Sequence, residues 1–430
     1  MSILEQGAHP ARRKVLAAVL ALPVLSACGP AQTTAEAPGF AIRGVRVFDG
    51  RHVLPAATVL VTGAEIAAVG PRVQIPDGYQ VRDGTGRTLL PGLIDAHSHM
   101  MPSTDPPRFG VTTELEMGTL ADRRGDVRTQ RTSTAPTARA DLWSAGTLIT
   151  VPGGHGTQAM PGIATLGPDD DPGTFVDQRI AEGADHIKIV IEHRDHDGSP
   201  IPTLTRQQIR ALAAAAADRG LRSVAHVTRT QDALIALRAG VSGLAHVCAD
   251  RPADRTLINE ALDRGAFMIS TCADDRDRAH RRDGARSIYS DPRIAPRLSG
   301  FQRAMLEQPF ESPWLDDAWL ERHAANTRTL HAAGVPILAG TDAPIPGLIN
   351  GVSLLACLEA MVRGGLDPTA ALAAATTVPA DTFGLKDRGR IRPGSRADLV
   401  LVEGDPTRTI TDLRAIAAVW KNGRPITLAA

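Results

Sequence analysis

Residues 89–100 read LLPGLIDAHSHM, and this stretch decides how the rest of the chain is interpreted. An apolar run leads into alternating polar residues, as at the end of a buried strand. Alternate side chains of a strand point to the same side, so Asp95, His97 and His99 share one face. Two imidazoles at this spacing can bind one cation from a rigid strand. A lone His-x-His can also be a chance surface pair, so its meaning depends on the other segments.

The middle of the chain alternates short apolar runs with Ala-rich helical stretches such as TRQQIRALAAAAADRG. Strand and helix in alternation predict a parallel sheet with crossover helices. An irregular insert, serving as a lid or as a solvated face, is expected over about 275–320. Eight strand–helix repeats over roughly 290 residues fit a (β/α)8 TIM barrel. The eight candidate strands lie near 93–98, 111–117, 147–151, 186–191, 222–227, 243–247, 266–271 and 335–341.

Both ends of the chain carry a different pattern, in which short β-type runs are broken by glycine. These runs occupy residues 40–90 and return over 386–430. They predict one small β-sandwich domain built from both chain ends, flanking a TIM-barrel domain at 91–385. The expected fold class is therefore α/β.

The composition excludes some classes of function. The 430 residues carry 47 basic and 47 acidic side chains, so the formal charge is zero. A neutral chain has no general electrostatic reason to bind nucleic acid or an acidic membrane. Hydrophobic residues make up 43% and charged residues 22%, which argues against global disorder. The expected partner is a small-molecule substrate, and a homo-oligomer is left open.

The first residues have the pattern of a targeting segment. Basic residues at 12–14 precede an apolar run at 15–25 and then small residues, which predicts a signal peptide over 1–27. The run is shorter than the roughly 20 residues that a membrane span needs. The ending LSAC resembles the lipobox of bacterial lipoproteins, which implies lipidation of Cys28, a tether over 28–39 and an exported, periplasmic or outer-membrane-anchored protein. A plain signal peptide, an uncleaved anchor and twin-arginine export remain alternatives.

Lys188 lies in the apolar strand GADHIKIVIE, in a chain with only four lysines. An unpaired buried ammonium would be costly there. A neutral lysine amine can capture carbon dioxide and become a carbamate, whose two oxygens could bridge two cations, and arginine cannot do this. The alternative is a lysine that snorkels to solvent or pairs with Glu192.

Three further polar residues end apolar strands: His226 ends LRSVAH, His246 ends VSGLAH, and Asp342 ends VPILAGTDA. Each alone could be a core or capping residue. Together with the residues above, they fall in order at the ends of strands 1, 4, 5, 6 and 8. In a TIM barrel, that end is the catalytic rim.

The chain from about Phe40 onward resembles the amidohydrolase superfamily, on the pieces PGLIDAHSH, GVTT, GADHIKI, VAHV, GLAH, GTDA, AAATTVPA and GRIRPGSRADLVLVEGDP. It is most similar to prolidase-like and imidazolonepropionase-like members with a carboxylated lysine. Strand 2 departs from the pattern, since Glu114 and Glu116 stand where relatives often read Val-Arg-Asp. The resemblance implies one metal held by His97, His99 and Asp342, a second held by His226 and His246, and a bridge from Lys188 as its carbamate.

Such a site implies hydrolysis of an amide, a cyclic amide or a dipeptide, such as an Xaa-Pro or an N-acyl amino acid, by a metal-bridging hydroxide. Two divalent ions lower the pKa of water towards 7. Zn²⁺ suits the ligands, and Mn²⁺ or Co²⁺ would fit too. Asp342 is the expected catalytic proton carrier. The expected substrate-binding residues are His155 of VPGGHGTQ and Glu192, His193 and Arg194 of EHRDHDG. The alternative is that these four are ordinary loop residues without a role in binding.

Three alternatives remain at this stage. The same dimetal site could serve an esterase, a lactonase or a phosphotriesterase. A non-catalytic lipid-anchored binding protein is a second reading. A one-metal deaminase is the third, and Lys188 speaks against it. The remaining cysteines, Cys248, Cys272 and Cys357, match no zinc knuckle and no disulfide framework, so free buried thiols are expected.

Overall fold

The structure is a computed structural model that describes residues 38–99, 105–119, 127–132, 139–195, 197–272, 283–309, 312 and 315–429. The predicted signal segment, Cys28 and most of the predicted tether lie outside these residues. Within the described part of the chain, no helix is both long and apolar enough to cross a membrane.

The described residues form sixteen strands. These are β1 (Gly39–Phe48), β2 (Val53–Thr62), β3 (Glu65–Gly70), β4 (Gln80–Asp83), β5 (Arg87–Pro91), β6 (Leu93–Ser98), β7 (Val111–Glu116), β8 (Asp141–Ser144), β9 (Ile187–Val190), β10 (Ser223–His226), β11 (Gly243–Ala245), β12 (Phe267–Ser270), β13 (Ile337–Ala339), β14 (Leu399–Glu403), β15 (Ile416–Lys421) and β16 (Arg424–Pro425).

Eleven α-helices are described along the same ranges. They are α1 (Val127–Thr132), α2 (Pro172–Ala181), α3 (Arg206–Asp218), α4 (Thr230–Arg238), α5 (Arg255–Asp263), α6 (Asp283–Tyr289), α7 (Gly300–Glu307), α8 (Asp317–Ala332), α9 (Val352–Arg363), α10 (Pro368–Ala374) and α11 (Thr377–Thr382). Short 3₁₀ turns cover Pro106–Phe109, Ala295–Arg297 and Ile410–Arg414.

Strands from both ends of the chain meet in one eight-stranded sheet, in the order β16-β15-β14-β5-β1-β2-β3, with β4 beside β1. The join between the two ends is the antiparallel pair of β14 with β5, in which Leu401 faces Leu89. The ring of Phe40 stacks on Trp420 with centroids 5.1 Å apart. The two chain ends thus share one sheet, while a β-sandwich domain built from both ends stays a prediction.

The middle of the chain forms two parallel sheets, β6-β7-β8 and β13-β12-β11-β10-β9. Several of these strands, such as β9 and β12, read as apolar runs because both faces are covered, and every residue of β6, β7, β9 and β12 is buried. Two isolated bridges lie beside these sheets: Ser98 of β6 pairs with Ala343, which follows β13, and Ile149, which follows β8, pairs with Ile189 of β9. The protein is therefore α/β, as expected.

Two details differ from the expectation. The third strand is β8 rather than residues 147–151, which pair with β9 through an isolated bridge at Ile149. The expected irregular insert contains the helices α6 and α7, of which α7 begins with a capping box from Ser299 to Gln302.

The crossover helices cover the sheets with an apolar face. Helix α3 shows how the sequence sets this arrangement: Thr205 caps its first turn, and Ile209, Leu212 and Ala216 form its buried stripe. Because the strands are parallel, their carboxyl ends lie at the same edge. The residues that follow β6, β9, β10, β11 and β13 are therefore brought towards one another.

Candidate metal centre

Strand β6 and the turn after β13 bring His97, His99 and Asp342 together. The Nε2 atom of His97 lies 2.9 Å from Oδ1 of Asp342, and Nε2 of His99 lies 3.2 Å from the same oxygen. One ligand atom from each residue lies within 4.8 Å of the others. These three side chains could hold one metal ion.

Lys188 approaches this group from the middle of β9. Its Nζ lies 3.2 Å from Nε2 of His97, and the side chain is buried. Burial lowers the pKa of Lys188 to about 8, because the ammonium has lost its water shell. The amine is therefore far easier to deprotonate than that of an exposed lysine.

His226 and His246 form a second pair beside the first group. Nε2 of His246 lies 3.0 Å from Nδ1 of His226, and Nδ1 of His246 lies 2.8 Å from the hydroxyl of Thr271. The rings of His246 and His97 have centroids 5.1 Å apart. The two groups of histidines are thus neighbours, with the Lys188 amine beside His97.

The protonation of these side chains fits a cation between them. Burial lowers the pKa of His97 to about 3 and that of His246 well below its usual value, so both rings are neutral. Burial alone would raise the pKa of Asp342, but contacts with His97 outweigh it and hold the pKa well below its usual range. Neutral imidazoles around an ionised carboxylate are the ligands that Zn²⁺ takes in proteins.

Two of these residues have an unusual backbone. Asp342 has φ 63° and His246 has φ 71°, in the left-handed region that non-glycine residues seldom adopt. The backbone amide of Asp342 donates to the carbonyl of His97 at 2.8 Å, which fixes the turn after β13 against β6. Strain of this kind concentrates at functional sites.

Asp95 is a site residue for which the motif predicts no role of its own. Its carboxylate is buried and accepts bonds from the hydroxyl of Thr341 at 2.6 Å and from the amide of His97 at 3.1 Å. Burial raises the pKa of Asp95 to about 7, although these bonds oppose the shift. The alternation of Asp95 with His97 placed it on the right face, but its partner lies 246 residues away in sequence.

The two glutamates of β7 lie behind the histidines. Glu116 is fully buried and accepts bonds from the amide of Gly118 and the hydroxyl of Ser144. Glu114 accepts a bond from Asn350 at 2.9 Å, and burial raises the pKa of Glu114 to about 8. Both glutamates therefore support neighbouring segments.

The four expected substrate-binding residues separate into two groups. The ring of His155 stacks on His226 with centroids 4.7 Å apart, and Oε2 of Glu192 lies 3.5 Å from Nε2 of His226. His193 instead turns to Asp232 at 3.2 Å on α4. The backbone amide of Arg194 donates to Glu192 at 3.1 Å. The structure thus brings His155 and Glu192 to the histidines and directs His193 elsewhere.

Sequence comparisons give this arrangement a context. A protein-family model described as "Amidohydrolase family" matches residues 88–428 of this chain. A dihydroorotase of Mycobacterium tuberculosis is 26% identical over 412 residues, which cover 86% of this chain and 90% of the relative. An imidazolonepropionase of Cereibacter sphaeroides is 26% identical over 386 residues, covering 85% and 92%.

Solved structures share the fold. A structure described as a candidate prolidase from Bifidobacterium longum has a TM-score of 0.72 at 23% identity and covers 90% of this chain and 94% of its own. A Xaa-Pro dipeptidase with bound methionine has a TM-score of 0.69 at 21% identity and covers 90% and 99%.

The prediction that the protein is exported and lipid-anchored is wrong. The prediction of export and of lipid anchoring at Cys28 rests on residues 1–39 alone, and the relatives named above are enzymes whose names describe neither secreted proteins nor lipoproteins. The family match begins only at residue 88. The lipobox-like ending is a short pattern of small residues, and such a pattern is a weak signal by itself.

Proposed function

Because the chain belongs to the amidohydrolase family, we propose that it is a metal-dependent hydrolase of a carbon–nitrogen bond in an amide, a cyclic amide or a dipeptide. The observation that carries this proposal is the position of Lys188, whose Nζ lies 3.2 Å from Nε2 of His97 between two groups of histidines. A buried amine at this position suits a side chain that bridges two metal ions.

We propose that the two parallel sheets form one eight-stranded barrel over residues 91–385, flanked by a β-sandwich from 40–90 and 386–430. The bridges from Ser98 to Ala343 and from Ile149 to Ile189 support this reading, because each joins an edge strand of one sheet to the segment that follows an edge strand of the other. The metal ligands then occupy the carboxyl-terminal rim, where TIM-barrel enzymes carry their active sites.

The donor set supports two ions. His97, His99 and Asp342 would hold one, and His226 and His246 the other. Lys188 would join them as a carbamate, since burial leaves its amine easy to deprotonate and therefore open to carbon dioxide. Zn²⁺ suits the imidazoles and the carboxylate, and Mn²⁺ or Co²⁺ could replace it.

When bound, the two ions would supply an activated water and polarise the carbonyl of the substrate. Asp342 then moves the proton: its carboxylate is ionised, so it can accept a proton at Oδ1 or Oδ2 and donate it to the leaving nitrogen. Part of the Asp342 side chain (16%) is open to solvent, which gives a substrate access to it. His155 and Glu192, beside His226, would orient the substrate.

The test is a panel of N-acyl amino acids, Xaa-Pro dipeptides and cyclic amides, with a lactone and a phosphotriester alongside. The metal-loaded protein should cleave at least one of the nitrogen compounds. Asp342→Asn should remain folded and lower kcat by about 10²-fold or more, the contribution of a positioned acid–base group. Asp177→Asn, which breaks an exposed pair with Arg219, is the control. Turnover confined to the lactone or the phosphotriester, or near-normal turnover by Asp342→Asn, would overturn the proposal.

A further inference from the structure

Two cysteines on different elements lie close together beside the metal centre. Cys272 follows β12 and Cys357 lies in the middle of α9, yet their Sγ atoms are 3.5 Å apart. The thiol of Cys272 also donates to the carbonyl of Cys357 at 3.3 Å, and that of Cys357 donates to the carbonyl of Ser270 at 3.5 Å. Both thiols are therefore held facing each other across the gap between a strand end and a helix.

The pair can be reached from outside through a cavity. Cys272 is half-buried and lines a cavity of about 190 Å³ between α8 and α9, whereas Cys357 is fully buried behind it. A cavity of this size admits small oxidants. Cys272 is thus placed to react first and Cys357 to react second.

Cys272 is also connected to a proposed metal ligand. It adjoins Thr271, whose hydroxyl lies 2.8 Å from Nδ1 of His246. A disulfide needs the sulfur atoms at about 2.05 Å, so the gap must close by roughly 1.5 Å, and Cys272 is the less buried of the two residues. Movement of Cys272 would pull on the segment that holds the His246 ring.

We propose that Cys272 and Cys357 form a reversible disulfide with peroxide, and that this bond weakens the hold of Thr271 on His246. The second half of this inference rests on the proposed metal centre. The Cys272 thiolate attacks one peroxide oxygen, the O–O bond breaks, and the released hydroxide takes a proton to become water. The sulfur of Cys357 then attacks the Cys272 sulfenic acid and loses its proton, and the S–O bond breaks to release a second water. The two thiols lose two electrons, and peroxide gains them.

Cys248 provides a matched control. It is also buried, but burial raises the pKa of its thiol well above the usual value, which suppresses the reactive thiolate. Its Sγ approaches a backbone carbonyl, that of Val227, at 4.0 Å. Oxidation through a thiolate should therefore spare Cys248.

The experiment treats the full-length, metal-loaded protein with graded hydrogen peroxide and records intact mass, alkylatable thiols and release of metal to a colorimetric chelator. Wild type and Cys248→Ser should each lose two thiols and the mass of two hydrogen atoms, and should release metal several-fold faster until a reductant reverses both changes. Cys272→Ser and Cys357→Ser should do neither.

Four outcomes would overturn the inference: no thiol loss, stable oxygen adducts in place of the link, the same metal release in Cys272→Ser, or a disulfide without faster release. Mass and thiol counts need neither metal nor substrate. A protein that forms the link but binds no metal would therefore refute the proposed function while leaving the reactive pair established.

Discussion

The hydroxyl of Thr341 donates a 2.6 Å hydrogen bond to the buried carboxylate of Asp95. The amide of Thr341 donates to the same carboxylate at 3.1 Å, and the amide of Ala343 donates back to the Thr341 hydroxyl at 3.1 Å. Asp342, in its left-handed conformation, lies between these two amides. The first strand of the proposed barrel therefore fixes the proton carrier that follows the last strand.

This relationship predicts different results for two substitutions of Thr341. Thr341→Val keeps the shape but leaves the buried Asp95 carboxylate without its shortest bond, which should lower the free energy of unfolding by about 1–3 kcal/mol. It should also lower kcat more than it changes KM, since Asp342 is displaced. Thr341→Ser retains the hydroxyl and should stay close to wild type. Urea denaturation and steady-state kinetics measure both effects, and equal behaviour of the two variants would show that the hydroxyl has no such role.

A second prediction concerns Asp141, the fully buried first residue of β8. Its carboxylate accepts bonds from Nζ of Lys421 at 2.7 Å and Nη1 of Arg388 at 2.9 Å, and it pairs with Arg396 at 2.5 Å. Asp141→Asn leaves these buried cations short of a counter-charge, and breaking a buried ion pair costs about 3–5 kcal/mol.

Asp177→Asn is again the matched control, since its exposed pair with Arg219 is worth about 0–1 kcal/mol. The free energy of unfolding in urea compares the two. A loss for Asp141→Asn no larger than that of the control would mean that the buried cations find other partners.

A third prediction concerns acid stability near Arg414, which connects the turn Ile410–Arg414 to α9 and α6. The guanidinium bonds Glu359 at 2.5 and 2.6 Å and Asp291 at 3.1 Å. Bonds from Arg293 and then from Arg414 hold the pKa of Asp291 below its usual value. Because the folded-state pKa is depressed, this stabilisation is complete above the unfolded value of about 4 and is lost as the pH falls below it.

The free energy of unfolding of wild type and of Asp291→Asn, measured by urea denaturation at several pH values from 3 to 7, tests this pH dependence. The variant should lose stability at pH 7, and the difference from wild type should shrink towards pH 3. A constant difference across that range would show that Asp291 does not carry the pH dependence.

Much of the fold could be predicted because parallel strands covered on both faces read as apolar runs. The expected first strand coincides with β6, Leu93–Ser98, and His226 is the last residue of β10. The third strand could not be found in this way. The strand β8 reads DLWS, and its Asp141 is satisfied by cations from the far end of the chain rather than by water. A buried polar strand gives no apolar signal.

Part of the candidate site could be predicted from the sequence, and part could not. The histidines at strand ends and the lysine inside an apolar strand can be found from local pattern, since each stands next to an apolar run. The bond between Asp95 and Thr341 and the closeness of Cys272 and Cys357 depend on tertiary packing over long sequence separations, so no local pattern encodes them.

The most direct test of the account is the metal content of purified protein, measured by elemental analysis for wild type and Lys188→Ala in parallel. A centre that Lys188 bridges should hold about two divalent ions per chain in wild type. Lys188→Ala should lose metal, and small carboxylic acids should partly restore it. Unchanged metal content in Lys188→Ala, or a wild-type protein that binds no divalent ion, would contradict the account.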